Sequence, residues 1–77
     1  MDYTKEQLEY YKGCLEYSII IYQDNIRKCN VDIYECMKNG QFLMIPIIRK
    51  KITYYENQIN FIKDKIINIE NTYEKGR

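Results

Sequence analysis

The sequence predicts an all-α fold: an antiparallel, coiled-coil-like helical hairpin that assembles into a four-helix or larger bundle. Apolar residues recur at alternating intervals of three and four along both halves of this 77-residue chain, which is the heptad pattern of a coiled coil. The two patterned halves are similar in length, and the Asn39-Gly40 pair between them is typical of a helix end. Because the connection is short, antiparallel packing is favoured. A chain of this size holds a single domain, residues 1–77.

Helix 1 is predicted over about residues 4–38. Thr4 and Gln7 fit a capping box, in which each side chain accepts a hydrogen bond from the backbone amide of the other residue. Lys38 lies in the last turn, where a cation complements the helix dipole. The stretch around Asn30 is polar, so we expect any kink or break of the helix there. The apolar seam of helix 1 consists of Leu15, Ile19, Tyr22, Ile26, Cys29, Ile33 and Cys36.

Helix 2 is predicted over about residues 44–75, after a turn at about residues 39–43. Pro46 has no amide hydrogen and fits only the first turn of a helix, so the helix should begin at Met44 or Ile45. Gly76 follows its predicted end. The seam of helix 2 consists of Ile48, Ile52, Tyr55, Ile59, Ile62, Ile66, Ile69 and Tyr73.

A single antiparallel register matches the two seams layer by layer, with facing residue numbers that sum to 81. Tyr22 and Tyr55 then each face an Ile, so a large side chain meets a medium one, as close packing requires. Lys12 falls opposite Ile69, where either Tyr11 covers the gap or the seam frays. The layers are Ile33 with Ile48, Cys29 with Ile52, Ile26 with Tyr55, Tyr22 with Ile59, Ile19 with Ile62, Leu15 with Ile66 and Leu8 with Tyr73. The charges beside the seam bring Glu16 near Lys63 and Asp32 near Lys51.

Both helices carry more apolar residues than one seam requires. Helix 1 has a second stripe of Tyr10, Cys14, Tyr17 and Ile21 with Ile20 beside it, and helix 2 adds Ile47, Tyr54, Phe61 and Ile67. Left in water, these residues would form apolar patches larger than monomers normally expose, so we expect homo-oligomers. Alternatively, part of this surface stays free for a foreign protein, since Tyr offers a large contact area at low entropy cost. The candidate partner-binding residues are Tyr10, Tyr17, Ile20, Ile21, Tyr54 and Phe61.

Two other kinds of ligand remain open. Aromatic rings beside cations can hold a nucleotide by stacking and phosphate contact, and such a cluster lies near the N-terminus, with Tyr3 and Lys5 at its edge and Tyr10, Tyr11 and Lys12 as the candidates. A basic helix face can instead follow a phosphate backbone. The candidate nucleic-acid-binding residues are Arg49, Lys50 and Lys51.

Catalysis is not expected, and we predict no cofactor. The chain has no His, its three glycines form no phosphate-binding loop, and its acids do not converge. The three cysteines lack the spacing of a zinc site, so no metal is predicted. Because Cys29 and Cys36 lie on the seam and the cysteine count is odd, we interpret them as small apolar core residues in a reducing compartment.

The predicted location is the cytoplasm, or the host cytoplasm for a viral protein. The N-terminus has no basic segment followed by an apolar run, and no stretch reaches the 18 or so apolar residues of a membrane span. We therefore expect no membrane partner.

The composition bears on the origin of the chain. It contains no Ala and no Trp, but much Ile, Asn, Lys and Tyr, which is typical of AT-rich genomes, including those of low-GC bacteria and their phages and plasmids. Taken together, the sequence predicts a non-catalytic accessory or regulatory protein that binds and modulates or inhibits a partner protein, of the anti-defence type found in phages and mobile elements. The alternatives are a nucleotide-sequestering oligomer and a nucleic-acid-binding hairpin dimer.

Overall fold

The molecule is an all-helical hairpin. The structure, a computed structural model, describes residues 4–75 and the side chains of residues 4–72. Helix α1 spans Lys5–Asn39, a single 3₁₀ turn spans Phe42–Met44, and helix α2 spans Ile45–Lys75. No strand occurs in this part of the chain, which confirms the predicted helical hairpin. The predicted stop at Gly76, the side-chain layer of Leu8 with Tyr73, and Tyr3 lie outside the described residues or side chains.

The start of α1 is fixed by the predicted capping box. The backbone N–H of Gln7 donates to Thr4 Oγ1 at 3.2 Å, and the backbone N–H of Thr4 donates to Gln7 Oε1 at 2.9 Å. These two bonds satisfy amide groups that have no partner inside the helix. The capping box is therefore confirmed.

The sequence leaves open whether helix α1 is continuous through Asn30. Helix α1 runs uninterrupted from Lys5 to Asn39. Asn30 is exposed, while its neighbours Cys29 and Ile33 lie against α2. The helix penalty of an exposed Asn is only a few tenths of a kcal/mol, and tertiary packing of the neighbouring seam residues outweighs it.

The turn between the helices depends on Gly40. Its φ of 74° lies in the left-handed region, where L side chains are strained and Gly is not. In this conformation the backbone N–H of Gln41 donates to the carbonyl of Cys36 at 2.8 Å, as in a Schellman-type C-cap. Pro46 is the second residue of α2, within the first turn as predicted.

The core follows the two predicted seams. Every described seam residue of α1 and α2 is buried or half-buried, and the most buried residues are Cys29, Cys36, Ile45, Ile48, Ile59 and Ile62. One cluster joins Cys29, Cys36, Ile45 and Ile48, with Ile33, Ile52 and Tyr55 packed against it. Further along, the rings of Tyr22 and Tyr55 lie 5.8 Å apart. Seam residues of both helices therefore pack against each other in these two places.

The predicted cross-helix charge pairs do not form. Neither Glu16 and Lys63 nor Asp32 and Lys51 lie within ion-pair distance in the described part of the chain. All four side chains are exposed, and holding two long exposed side chains together costs about as much entropy as the attraction returns.

The molecule is a rod. Its dimensions are 58 × 17 × 15 Å and its radius of gyration is 17.4 Å, against about 11.5 Å for a compact domain of this length. One end is closed by the Gly40 turn, and we call the other, where α1 begins and α2 ends, the open end. Because of this rod shape, a large share of the residues lies at the surface and is available for binding.

Candidate interaction surfaces

The six candidate partner-binding residues all point away from the seam. Their exposed fractions range from 44% for Ile21 to 77% for Tyr10. They occupy both helices: Tyr10, Tyr17, Ile20 and Ile21 on α1, and Tyr54 and Phe61 on α2. The structure thus leaves the second apolar stripe in solvent.

The two edges of the seam differ on each helix. On α1, the residues just before Ile19 and Ile26 are half-buried, whereas those just after Leu15 and Tyr22 are exposed. On α2, likewise, the residues just before Ile59 and Ile66 are half-buried, and those just after Tyr55 and Ile62 are exposed. The half-buried edge residues are Ser18, Asn25, Gln58 and Lys65, and the exposed ones are Glu16, Gln23, Glu56 and Lys63.

Aromatic contacts extend the half-buried edge outward on α2. The Tyr54 ring meets the seam residue Tyr55 edge-on, with centroids 5.7 Å apart. The ammonium group of Lys65 lies 4.6 Å from the centroid of the Phe61 ring, which is cation–π geometry. Lys65 therefore covers part of an exposed ring without closing it off, since Phe61 is still 57% exposed.

A charge cluster ends the second stripe of α1. Asp24 lies three residues beyond Ile21 and accepts a hydrogen bond from Arg27, while Lys28 Nζ lies 3.2 Å from Asp24 Oδ2. The hydrogen bond from Lys28 is the main cause that lowers the pKa of Asp24, and contact with Arg27 adds to it. The apolar stripe is thus confined to the first half of α1.

A groove of about 740 Å³ lies at the open end. Tyr10 and Tyr11, two nucleotide-binding candidates, help to line it, with Leu8, Ile69 and the carboxylate of Glu6. The third candidate, Lys12, is not among the lining residues, and its ammonium group lies 3.7 Å from a carboxylate oxygen of Glu70. Among the described residues, the lining holds a carboxylate and no cation, so these residues offer stacking surface without a phosphate-binding group. Tyr11, which is 48% exposed, and Ile69 line the same groove.

The nucleic-acid-binding candidates are exposed on the first turns of α2. No acid among residues 4–72 lies within ion-pair distance of Arg49, Lys50 or Lys51. They are consecutive residues on one helix and therefore point in three directions about 100° apart, so they form no single continuous basic face.

Sequence reasoning did not single out the closed end as an apolar tip. Phe42 and Leu43 are 63% and 90% exposed, and Met37 and Met44 near them are about half exposed. The connector between the helices is apolar, whereas loop residues are usually polar, and this difference could have predicted the exposed apolar tip.

The cysteines divide into two environments. All three are free thiols, with Cys29 and Cys36 buried as core residues, as predicted, and Cys14 exposed. Among residues 4–72, no group of three or more acidic or cysteine side chains is arranged to hold a metal ion. Neither helix, over its described length, combines the length and apolarity needed to cross a bilayer.

No family model, curated protein or solved structure matches this chain. The functional proposal therefore depends on the chain's own surface.

Proposed function

We propose that this chain is a non-catalytic interaction protein that binds and modulates another protein. Its helices pack antiparallel, and hairpins associate into a four-helix or larger bundle. The observation that carries the proposal is the outward apolar surface, because large apolar side chains 44–77% exposed along a thin rod are costly in water and are typical of binding surfaces.

The antiparallel arrangement is supported by contacts along the whole rod. Cys36 and Ile45 share a cluster beside the turn, Tyr22 meets Tyr55 near the middle, and Lys12 pairs with Glu70 at the open end. Residue numbers fall along α1 as they rise along α2 in these contacts, as a short connection favours.

The surface best suited to a foreign protein is the outer face of α1, formed by Tyr10, Tyr17 and Ile20. These residues are spaced by seven and three positions, so they lie on one face of the helix. They are 77%, 64% and 60% exposed. Tyr side chains there would anchor a partner at low entropy cost. An inhibitor of the anti-defence type, carried by a phage or mobile element, fits this size and design.

The test is capture from a lysate of the organism that carries the sequence. We expect one dominant partner at a fixed ratio, lost in the double variant Tyr17→Ser, Ile20→Ser and kept in Tyr34→Ser, which alters an equally exposed Tyr of α1. Recovery of the chain alone would overturn the proposal.

The groove at the open end keeps nucleotide capture as a second candidate. Added nucleotide should then raise the melting temperature by mass action, and Tyr10→Ser and Tyr11→Ser should abolish the rise.

For nucleic-acid binding, affinity should fall steeply with salt and be lost when Arg49, Lys50 and Lys51 become Gln. A protein-directed binder shows neither response.

A further inference from the structure

The two long sides of the hairpin differ in a way that selects one of them for contact with another molecule. In the antiparallel arrangement, the half-buried edge residues Ser18 and Asn25 of α1 face the same side as Gln58 and Lys65 of α2. Residues three positions after or four positions before these residues lie outside the edges on that side. We call this the aromatic side, and its outer residues are Cys14, Ile21, Lys28, Tyr54, Phe61 and Asn68.

The opposite side has a different chemistry, and we call it the charged side. Its edge residues are exposed, and Glu16, Glu56 and Lys63 among them have no ion-pair partner in the described part of the chain. Its outer residues mix apolar and polar types: Gly13, Ile20, Arg27, Thr53, Asn60 and Ile67.

Covering the aromatic side buries fewer unpaired charges than covering the charged side would. Between the levels of Cys14 and Lys28, the aromatic side carries two charged residues, Lys28 and Lys65. Each already has an intramolecular partner, Asp24 for Lys28 and the Phe61 ring for Lys65. Burying unpaired charges is expensive, whereas neutral and already paired groups cost much less.

We propose that a second copy of this chain covers the aromatic side, so that two hairpins form a four-helix bundle with Ile21 and Phe61 at the centre of the interface. This inference rests on the self-association part of the proposed function and names the surface used. Ile21 and Phe61 lie at the same level of the register, 44% and 57% exposed. A two-fold axis there places the Ile21 and Phe61 of one copy against those of its partner, since a two-fold interface pairs a patch with itself.

The exposed area of the single hairpin fits a second copy. The chain exposes 6460 Å², whereas a compact monomer of its mass exposes about 5,000 Å². The excess of about 1,400 Å² exceeds the roughly 800 Å² that each partner buries in a standard interface. Between the levels of Cys14 and Lys28 the aromatic side carries no acidic residue, and its two lysines already have intramolecular partners, so it offers little charge with which to select a partner of opposite sign.

The experiment compares matched charge insertions on the two sides. Ile21→Glu and Phe61→Glu place a carboxylate on the aromatic side, and Ile20→Glu and Ile67→Glu place one at similarly exposed positions on the charged side. We expect the unmodified chain to have the mass of a dimer in sedimentation equilibrium. The aromatic-side variants should weaken dimerisation at least tenfold, and the charged-side variants should leave it within about threefold. All four positions are exposed, so circular dichroism should show an unchanged helix content.

Each other outcome overturns the inference in a distinguishable way. Dissociation by the charged-side variants, by both pairs or by neither would show that the aromatic side is not the selected interface, while self-association itself stands. A monomeric unmodified chain would remove both this inference and the assembly part of the proposed function. Binding of a foreign protein through Tyr10, Tyr17 and Ile20 would be untouched by any of these results.

Discussion

The two ends of the hairpin are packed differently although both follow the same seam spacing. At the closed end, Cys36, Ile45, Ile48 and Cys29 are all buried within one cluster. At the open end, no described residue before Cys29 or after Ile62 is buried, and Lys12 occupies a seam position. The same apolar spacing therefore gives tighter packing at the closed end. The short turn there holds the helices together at a low cost in loop entropy.

Deleting side-chain volume at the two ends gives the largest test of this contrast. Ile48→Ala should cost about 2–5 kcal/mol of unfolding free energy, because the closed end is packed and cannot fill the cavity. Ile66→Ala removes the same atoms from a half-buried position and should cost less than half as much. Urea denaturation at one fixed protein concentration measures both. Equal costs would show that the open end is as well packed as the closed end.

The glycines of α1 and its cap should respond in opposite directions. Gly40→Ala puts a side chain at φ 74° and should cost about 1 kcal/mol or more. Gly13→Ala, in the helix interior with nothing within 4 Å of the new Cβ, should stabilise by about 0.5–1 kcal/mol. For a domain of this size, each change moves the melting temperature by several degrees. The same sign for both variants would contradict the assigned turn.

Repairing the seam at the open end should narrow the difference between the ends. Lys12→Ile restores an apolar residue opposite Ile69 and loses a partly exposed pair with Glu70. Since such pairs contribute about 0.2–1 kcal/mol, we expect a net gain of about 0.5–1 kcal/mol from apolar burial. Lys12→Gln is the control, because it removes the charge without adding apolar surface. An equal gain in unfolding free energy for Lys12→Gln would show that the gain comes from removing the charge and not from apolar burial.

The smallest effect is expected from Asp24, which lies between the two ends. Its lowered pKa means that its contribution to stability is present above the ordinary value of 3.8 and is lost as the pH falls through the folded-state pKa. Asp24→Asn should therefore flatten the acid side of the melting curve against pH, below about pH 4. Asp32→Asn, an exposed Asp of the same helix without an ion pair among the described residues, should leave that slope closer to the original.

Much of the fold could be predicted because its determinants are local. The capping box of Thr4 and Gln7, the turn at Gly40 and the position of Pro46 each depend on a few neighbouring residues. The seams are visible from spacing alone, and with them the core roles of Cys29 and Cys36. The continuity of α1 through Asn30, which the structure shows, was left undecided because local propensity ignores the packing of the residues around it.

The surface was less predictable because it depends on how the helices roll against each other. Spacing does not show that Ser18 and Gln58 become half-buried while Glu16 and Glu56 stay exposed. Nor does it show that Lys65 lies over Phe61 or that Lys12 pairs with Glu70. Such contacts depend on side-chain rotamers and on small energy differences between exposed arrangements.

The three free thiols give the molecule a built-in chemical reporter of its own motions. An alkylating reagent reaches Cys14 directly, whereas Cys29 and Cys36 become accessible only when the helices separate around them. Cys29 and Cys36 are two helical turns apart on one face, about 10 Å along the axis, too far for a disulfide without backbone movement. The rate at which Cys29 and Cys36 are alkylated therefore measures how often the two helices separate beside the turn, without any added probe.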